Sequence, residues 1–280
     1  MIRTPVPRPV FAMIAGLLLL SSCSQYQKLL KSDDLELKYT RAVEYYEEGS
    51  FGKAIGLMDD IIPAFRGSAR AENLNYYYAM AHYKQKDYLM ASHYFRTFAS
   101  GFPHSRHVED FLFLSAYCKY LESPRPSLDQ TSTREAIQEL QAFINRFPGS
   151  QRVEEANQLI DELRYKLETK RFESAMLYLD LEDYTAAITT FDSFIKDYPD
   201  TEYREQALFN ILYANFQFAS LSIPQRQIER FRDVLEAYQR LVRLYPESQY
   251  LVQADRMRET AHSRIEVLQQ SLQNDVSENQ

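Results

Sequence analysis

The chain has 280 residues, 32 of them Lys or Arg and 39 Asp or Glu, for a formal charge of −7 at pH 7. An acidic chain without a long basic run is a poor match for nucleic acid, and two cysteines cannot supply a disulfide framework. Seven glycines against 21 tyrosines and 17 phenylalanines argue against a β-rich or disordered chain.

The first 22 residues read as a leader. Arg3 and Arg8 form a basic start, and Val10 to Leu20 is an eleven-residue apolar run. That is the length of a signal-peptide core and too short for a permanent membrane span. Leu20-Ser21-Ser22-Cys23 follows and resembles the bacterial lipobox. The resemblance implies that Cys23 is diacylated, becomes the mature N-terminus and is then N-acylated. The 258 residues left carry a charge of −9. One acyl chain binds a bilayer marginally; several make a stable anchor, at about 0.8 kcal/mol per buried CH₂. No later stretch approaches 18 apolar residues, so no second span is expected. Ser24 follows the cysteine, with no acidic residue at that position and no acidic run immediately behind the cysteine. By analogy with the sorting of Gram-negative lipoproteins, this implies the outer membrane and its periplasmic face.

Residues 23–34 read as a lipidated polar tether, and the fold is expected over 35–272. Four marks recur there: Phe102-Pro103-His104-Ser105, Phe147-Pro148-Gly149-Ser150, Tyr198-Pro199-Asp200-Thr201 and Tyr245-Pro246-Glu247-Ser248. Their prolines are 45, 51 and 47 residues apart, and Phe65-Arg66-Gly67-Ser68 is a degenerate fifth mark. Twelve positions before each proline site stand Ala54, Ala91, Ala136, Ala187 and Val234. Eight before stand Met58, Phe95, Leu140, Phe191 and Tyr238; five before stand Ile61, Phe98, Phe143, Phe194 and Leu241. Offsets of three, four and seven place these side chains on one face of a helix. Proline then stops the helix, and the Ser or Thr two later is expected to cap the next one.

Tight turns are expected at Gly49-Ser50-Phe51, Lys86-Asp87-Tyr88 and Glu182-Asp183-Tyr184, with Ala42, Ala79, Ala116 and Ala175 in the preceding helices. This is the helix-turn-helix unit of the tetratricopeptide repeat. The expected fold is all-α, a right-handed tetratricopeptide-repeat superhelix (an α-solenoid). Its five repeats lie at about 35–66, 70–103, 106–148, 169–199 and 203–246, with an extra helix at 151–168 and a terminal helix at 250–272. Long loops are expected near 123–132 and 219–228, and a disordered tail over 273–280. One repeat cannot bury its own face, whereas stacked repeats share a core and form a groove.

Chemistry is sparse. His104 and His107 are three apart, but His104 sits in a turn with no cysteine near, so no metal site is expected. His82 and His93 read as packed or half-exposed helix residues. No phosphate loop, Gly-x-Ser-x-Gly elbow or His-Glu-x-x-His helix appears. Carboxylate pairs such as Asp59-Asp60 and Glu154-Glu155 read as solvated helix faces, and Cys118 as a buried small hydrophobe. The chain is therefore read as a non-enzyme without a cofactor beyond the lipid on Cys23. Tyr76, Tyr77 and Tyr78 are spread by about 100° per residue, so they cannot all face inward. Tyr39, Tyr46 and Tyr76 are candidates to line a binding groove, because tyrosine is a strong interface anchor; packing between repeats is the equal alternative.

Tetratricopeptide repeats directly behind a lipobox resemble the BamD family of outer-membrane assembly lipoproteins. The resemblance is strongest in Tyr39-Thr40-Arg41-Ala42 to Phe51-Gly52-Lys53-Ala54 and in Phe172-Glu173-Ser174-Ala175 to Asp197-Tyr198-Pro199-Asp200-Thr201. It implies a place in the complex that folds and inserts β-barrel proteins. Its partners would be the periplasmic domains of the central β-barrel subunit, on the C-terminal repeats, and unfolded outer membrane proteins, on the N-terminal repeats. The expected long loops depart from the family pattern. Alternatives are a periplasmic scaffold for division, motility or peptidoglycan machinery, and an accessory to a cell-wall enzyme.

Overall fold

The computed structural model describes residues 25–278, so Cys23 and the leader lie outside the described residues. Among the described residues there are helices and turns but no strands. The chain divides into two compact units, the first running to Pro124 and including Gln130–Leu163, the second comprising Arg125–Asp129 and everything from Arg164 on.

Unit 1 holds α1 (25–30), α2 (Leu35–Glu47), α3 (Phe51–Ile61), α4 (Ala71–Lys84), α5 (Tyr88–Gly101), α6 (Val108–Leu121), α7 (Thr131–Arg146) and α8 (Val153–Asp180) up to Leu163. Unit 2 holds the rest of α8, then α9 (Tyr184–Asp197), α10 (Arg204–Ser220), α11 (Pro224–Leu244) and α12 (Leu251–Glu278). Within each unit consecutive helices pack in pairs, in the tetratricopeptide manner. The small position is fully buried in every repeat, at Ala54, Ala91, Ala136, Ala187 and Val234, and so are Ala42, Ala79, Ala116 and Ala175 in the partner helices. A methyl side chain lets two helix backbones approach; the large residues one and two turns on, such as Phe95 with Phe98 and Phe191 with Phe194, fill the space beside the contact. Each such side chain contributes about 1.5–3 kcal/mol on full burial. The fifth repeat uses Ala214 where the sequence marks suggested no residue, and Tyr238 is only partly buried, donating to Asp255 Oδ1 at 2.6 Å.

The marks have one geometry. Phe102, Phe147, Tyr198 and Tyr245 each stand just before a proline with φ between −128° and −134° and ψ between 60° and 74°. Proline pushes the preceding residue out of the α region, yet the N–H of that residue still bonds the carbonyl four back. The serines and threonines do not cap the next helix as expected. Each hydroxyl accepts from the N–H two residues on, at 3.0–3.1 Å for Ser105, Ser150, Thr201 and Ser248, and the regular helix starts one residue later still. The short polar side chain closes a local turn before the helix begins.

Four expectations are corrected. The helix expected at 151–168 and the first helix of the fourth repeat are one 28-residue helix, α8, because nothing between Val153 and Asp180 is Gly or Pro. The long loop at 219–228 is only three residues, 221–223, because Pro224 begins α11 at a position where a missing N–H costs nothing. Residues 25–30 are not a free tether but a helix packed on α2 and α3. The tail is helical to Glu278.

The three tight turns share a left-handed residue: Gly49 (φ 77°), Lys86 (φ 64°) and Glu182 (φ 58°). Glycine adopts this region freely, while a side chain is strained there by about 1 kcal/mol. Lys86→Gly and Glu182→Gly are expected to raise stability by no more than about 0.5 kcal/mol each once glycine's larger unfolded-state entropy is subtracted. Gly49→Ala is expected to lower it by a similar amount. Urea midpoints measure all three.

Candidate functional site

Two of the three tyrosines singled out in the sequence share one surface of unit 1. Tyr46, near the end of α2, lies 5.0 Å edge-on from Tyr77 of α4. Tyr77 meets Tyr76 at 5.5 Å, and Tyr76 stacks on Phe111 of α6 at 5.3 Å with 14° between the planes. His107 closes the row, 4.6 Å from Tyr76. All three tyrosines are half-buried, so each ring packs on its neighbour and still presents an edge. Burial, and after it the nearby Tyr76 and Tyr77 hydroxyls, push the Tyr46 phenol above its ordinary value. The phenols therefore converge, as donors and acceptors set in an apolar row.

The third tyrosine is elsewhere. Tyr39 packs 5.6 Å from Phe65, under the Arg70 guanidinium at 5.1 Å, and Arg70 is ion-paired with Glu36. Tyr78, next to Tyr77 in sequence, is buried. It hydrogen-bonds Asp59 and lies 3.2 Å from the Tyr94 hydroxyl. A phenol has one proton, so with Tyr78 donating to Asp59 the Tyr94 hydroxyl must donate to Tyr78. Burial and then the Asp59 hydrogen bond push the Tyr78 phenol far upward. The run of three is thus split by helical geometry: two rings to the exposed row and one to the core.

Sequence reasoning missed a second row. Tyr83 stands two helical turns beyond Tyr76 on α4 and packs against Phe95 at 5.9 Å. On α6, Tyr117 stacks between Phe113 at 6.0 Å and Tyr120 at 5.7 Å. Tyr120 donates to Glu162 at 2.5 Å, and this bond, more than burial, pushes its phenol up to about 12. Arg152 lies over Phe113 at 4.5 Å. The signal was available, since Tyr76 and Tyr83 are seven residues apart and so on one helix face.

Unit 2 has its own groove of about 420 Å³ over α8, α10 and α12, walled by Leu179, Phe209, Phe216 and Met257, with Arg256 at its edge. Phe209 stacks on Tyr250 at 4.4 Å beside it. The candidate histidines go separate ways. His82 is buried, its Nδ1 3.1 Å from Asp87 Oδ2, whereas His93 and His104 are exposed. Among the described residues no three His, Cys, Asp or Glu side chains are grouped to hold a metal. No described helix is long and apolar enough to cross a membrane. Cys118 is fully buried, and burial pushes its thiol up to about 12.

Stacked helix pairs that present aromatic rows and an apolar groove define a tetratricopeptide-type scaffold, a protein that works by holding other polypeptides. The model of the YfiO family, described as an outer membrane lipoprotein, matches residues 32–222, and the chain belongs to that family. The match ends before α11. Among similar proteins, the outer membrane protein assembly factor BamD of Haemophilus influenzae is 23% identical over 208 residues, covering 71% of this chain and 79% of its own. The BamD of Caulobacter vibrioides is 24% identical over 183 residues, 64% of this chain and 59% of its own. A protein of Aquifex aeolicus that carries the same name provisionally is 23% identical over 239 residues, 82% of this chain and 74% of its own.

Proposed function

We propose that this chain is a lipid-anchored scaffold of the outer membrane that serves the assembly and insertion of β-barrel proteins. The observation that carries the reading is the family match over residues 32–222, joined to relatives named as outer membrane protein assembly factors. The lipid on Cys23 keeps the scaffold at the periplasmic face, where tethering raises its effective concentration toward other membrane-bound partners. The groove of unit 2 is the docking place for the periplasmic domains of the central β-barrel subunit. The aromatic row Tyr46–Tyr77–Tyr76 takes an extended, aromatic-ended strand of an unfolded outer membrane protein, by ring packing and phenol hydrogen bonds. Tyr39 lies outside that row and contributes through its own contact with Phe65 and Arg70. In this reading the chain is a binding protein, with no reaction of its own.

The test is affinity purification of the tagged lipoprotein from detergent-solubilised membranes. A large barrel protein with periplasmic repeat domains, in near-equal amount, is the expected companion. Division, motility or wall proteins in its place would keep the fold and sink the assembly role. For the row itself, Tyr46→Ala with Tyr76→Ala is expected to weaken binding of an aromatic-ended barrel peptide about tenfold or more, as anchor tyrosines do. Fluorescence anisotropy with labelled peptide measures this, and unchanged affinity would remove the row from the binding surface.

A further inference from the structure

The segment that joins the anchor to the fold is docked. Tyr26 of α1 donates to the Lys53 carbonyl at 3.2 Å and meets Tyr45 edge-on at 5.8 Å. The Lys53 ammonium lies over both rings, at 5.9 and 5.2 Å. Leu29 and Leu30 pack against the core of the first repeat. Gly56, in the middle of α3, makes room for this contact, since a Cβ there would fall 2.5 Å from the Tyr26 hydroxyl. Glycine is a poor residue for a helix interior, and the close approach of Tyr26 accounts for it. Gln25 and Lys28 of α1 and Lys31 in the turn after it are spaced by three and all exposed. Of the acids that follow, Asp33 is exposed, Asp34 caps α2 and Glu36 is paired with Arg70.

Cys23 and Ser24 alone separate the acyl chains from α1. Two residues reach at most about 7 Å in any conformation. We propose that α1 is a rigid mount. It holds the α1-bearing face of unit 1 on the phospholipid surface, with Lys28 and Lys31 against the headgroup phosphates. The partner is the bilayer itself, and the inference rests on the lipidation of Cys23 put forward above. Without the docking, the twelve residues from Cys23 to Asp34 would be a flexible leash with a root-mean-square length of about 20 Å. The fold would then turn freely beneath the membrane. Two lysines facing an anionic leaflet add an attraction that falls off within a Debye length.

The processed lipoprotein, purified from membranes, is reconstituted into vesicles of phosphatidylethanolamine and phosphatidylglycerol that carry a short-range energy acceptor on the headgroup. A donor dye is placed on Glu48→Cys, an exposed site three residues beyond Tyr45; buried Cys118 stays unlabelled. Efficient transfer is expected in the parent. Tyr26→Ser with Leu29→Ser is expected to cut it at least twofold while the protein still sediments with vesicles and keeps its circular dichroism. Equal transfer in both, with sedimentation intact, overturns the mount and leaves the lipid anchor standing. A parent that neither sediments with vesicles nor shows acyl mass on Cys23 overturns the anchor and the mount together. Lys28→Glu with Lys31→Glu touches no buried side chain and is expected to lower transfer in these vesicles but not in neutral ones. Unchanged transfer there overturns the headgroup contact.

Discussion

Phe111→Ala is expected to lower the stability of unit 1 by about 3–5 kcal/mol, the usual range for removing a buried phenylalanine. Phe111 is 1% exposed. Its ring sits 4.6 Å from both Phe95 and Phe98, and stacks on Tyr76 at 5.3 Å. The substitution removes the transfer energy of the ring and leaves a cavity at the meeting of α4, α5 and α6. That space cannot close, because each wall is a helix fixed by its own alanine contact. A domain of ordinary stability has about 5–15 kcal/mol in all, so most of the margin goes. Phe111→Leu keeps most of the volume and is expected to cost less than about 2 kcal/mol. Two compact units make a single unfolding transition a poor assumption, so the probe must belong to unit 1. Cys118 lies in the same core cluster as Phe111, with a thiol that burial keeps protonated and unreactive. Its modification by a thiol reagent requires opening of that cluster. A loss of 3 kcal/mol makes the open state roughly a hundredfold more populated, and labelling of Cys118 is expected to speed up by about that factor. An unchanged rate would show that the aromatic cluster is not what closes unit 1. The same variant removes the platform under Tyr76, so it is expected to weaken peptide binding even where the unit remains folded.

Cys23→Ser is expected to release the protein from the membrane. On the lipidation proposed for Cys23, three acyl chains at about 0.8 kcal/mol per buried CH₂ amount to a stable anchor. Nothing in the described helices replaces it, since none is long and apolar enough to cross a bilayer. The serine oxygen offers no thioether for the lipid, and the variant is made behind a leader that is removed without a lipobox, so that the apolar run Val10–Leu20 is absent from the product. Fractionation, with the intact mass of the product, measures the outcome. Recovery of the variant in the membrane fraction at the parental level would mean that attachment does not run through Cys23. This variant separates from Phe111→Ala by its readout: the fold and the Cys118 labelling rate stay as they were while location changes.

The repeat frame was legible in the residues before any coordinates. Small, large and large side chains at fixed distances before each proline can face a common partner only on a helix, and the repeats bury them in that way, with Tyr238 of the fifth only partly covered. Local chemistry sufficed because each position is specified by its own side chain: alanine for close approach, phenylalanine for the gap, proline for the stop. Where two readings of one local signal compete, tertiary contacts decided. Pro224 could break a helix or begin one, and it begins α11. The stretch at 25–30 is polar enough to pass for a leash, and it is held because Tyr26 finds the space over Gly56. A ring at one position and a missing side chain 30 residues away define that contact, and no periodicity links them. The tyrosines show the same division. Helical spacing required that Tyr76, Tyr77 and Tyr78 part company, but it could not say which one turns inward. Asp59 and Tyr94, on the helices flanking α4, receive the Tyr78 hydroxyl and draw it into the core. Tyr46, Tyr77 and Tyr76 are left to form the exposed row, and Tyr39, two turns back on the same helix as Tyr46, packs on Phe65 instead. Sequence by itself determined the repeat pattern, the pairing of helices within it and the class of protein. Only the packing of helix on helix decided which aromatic rings face outward, because a buried hydroxyl goes where a partner for its hydrogen bond is waiting.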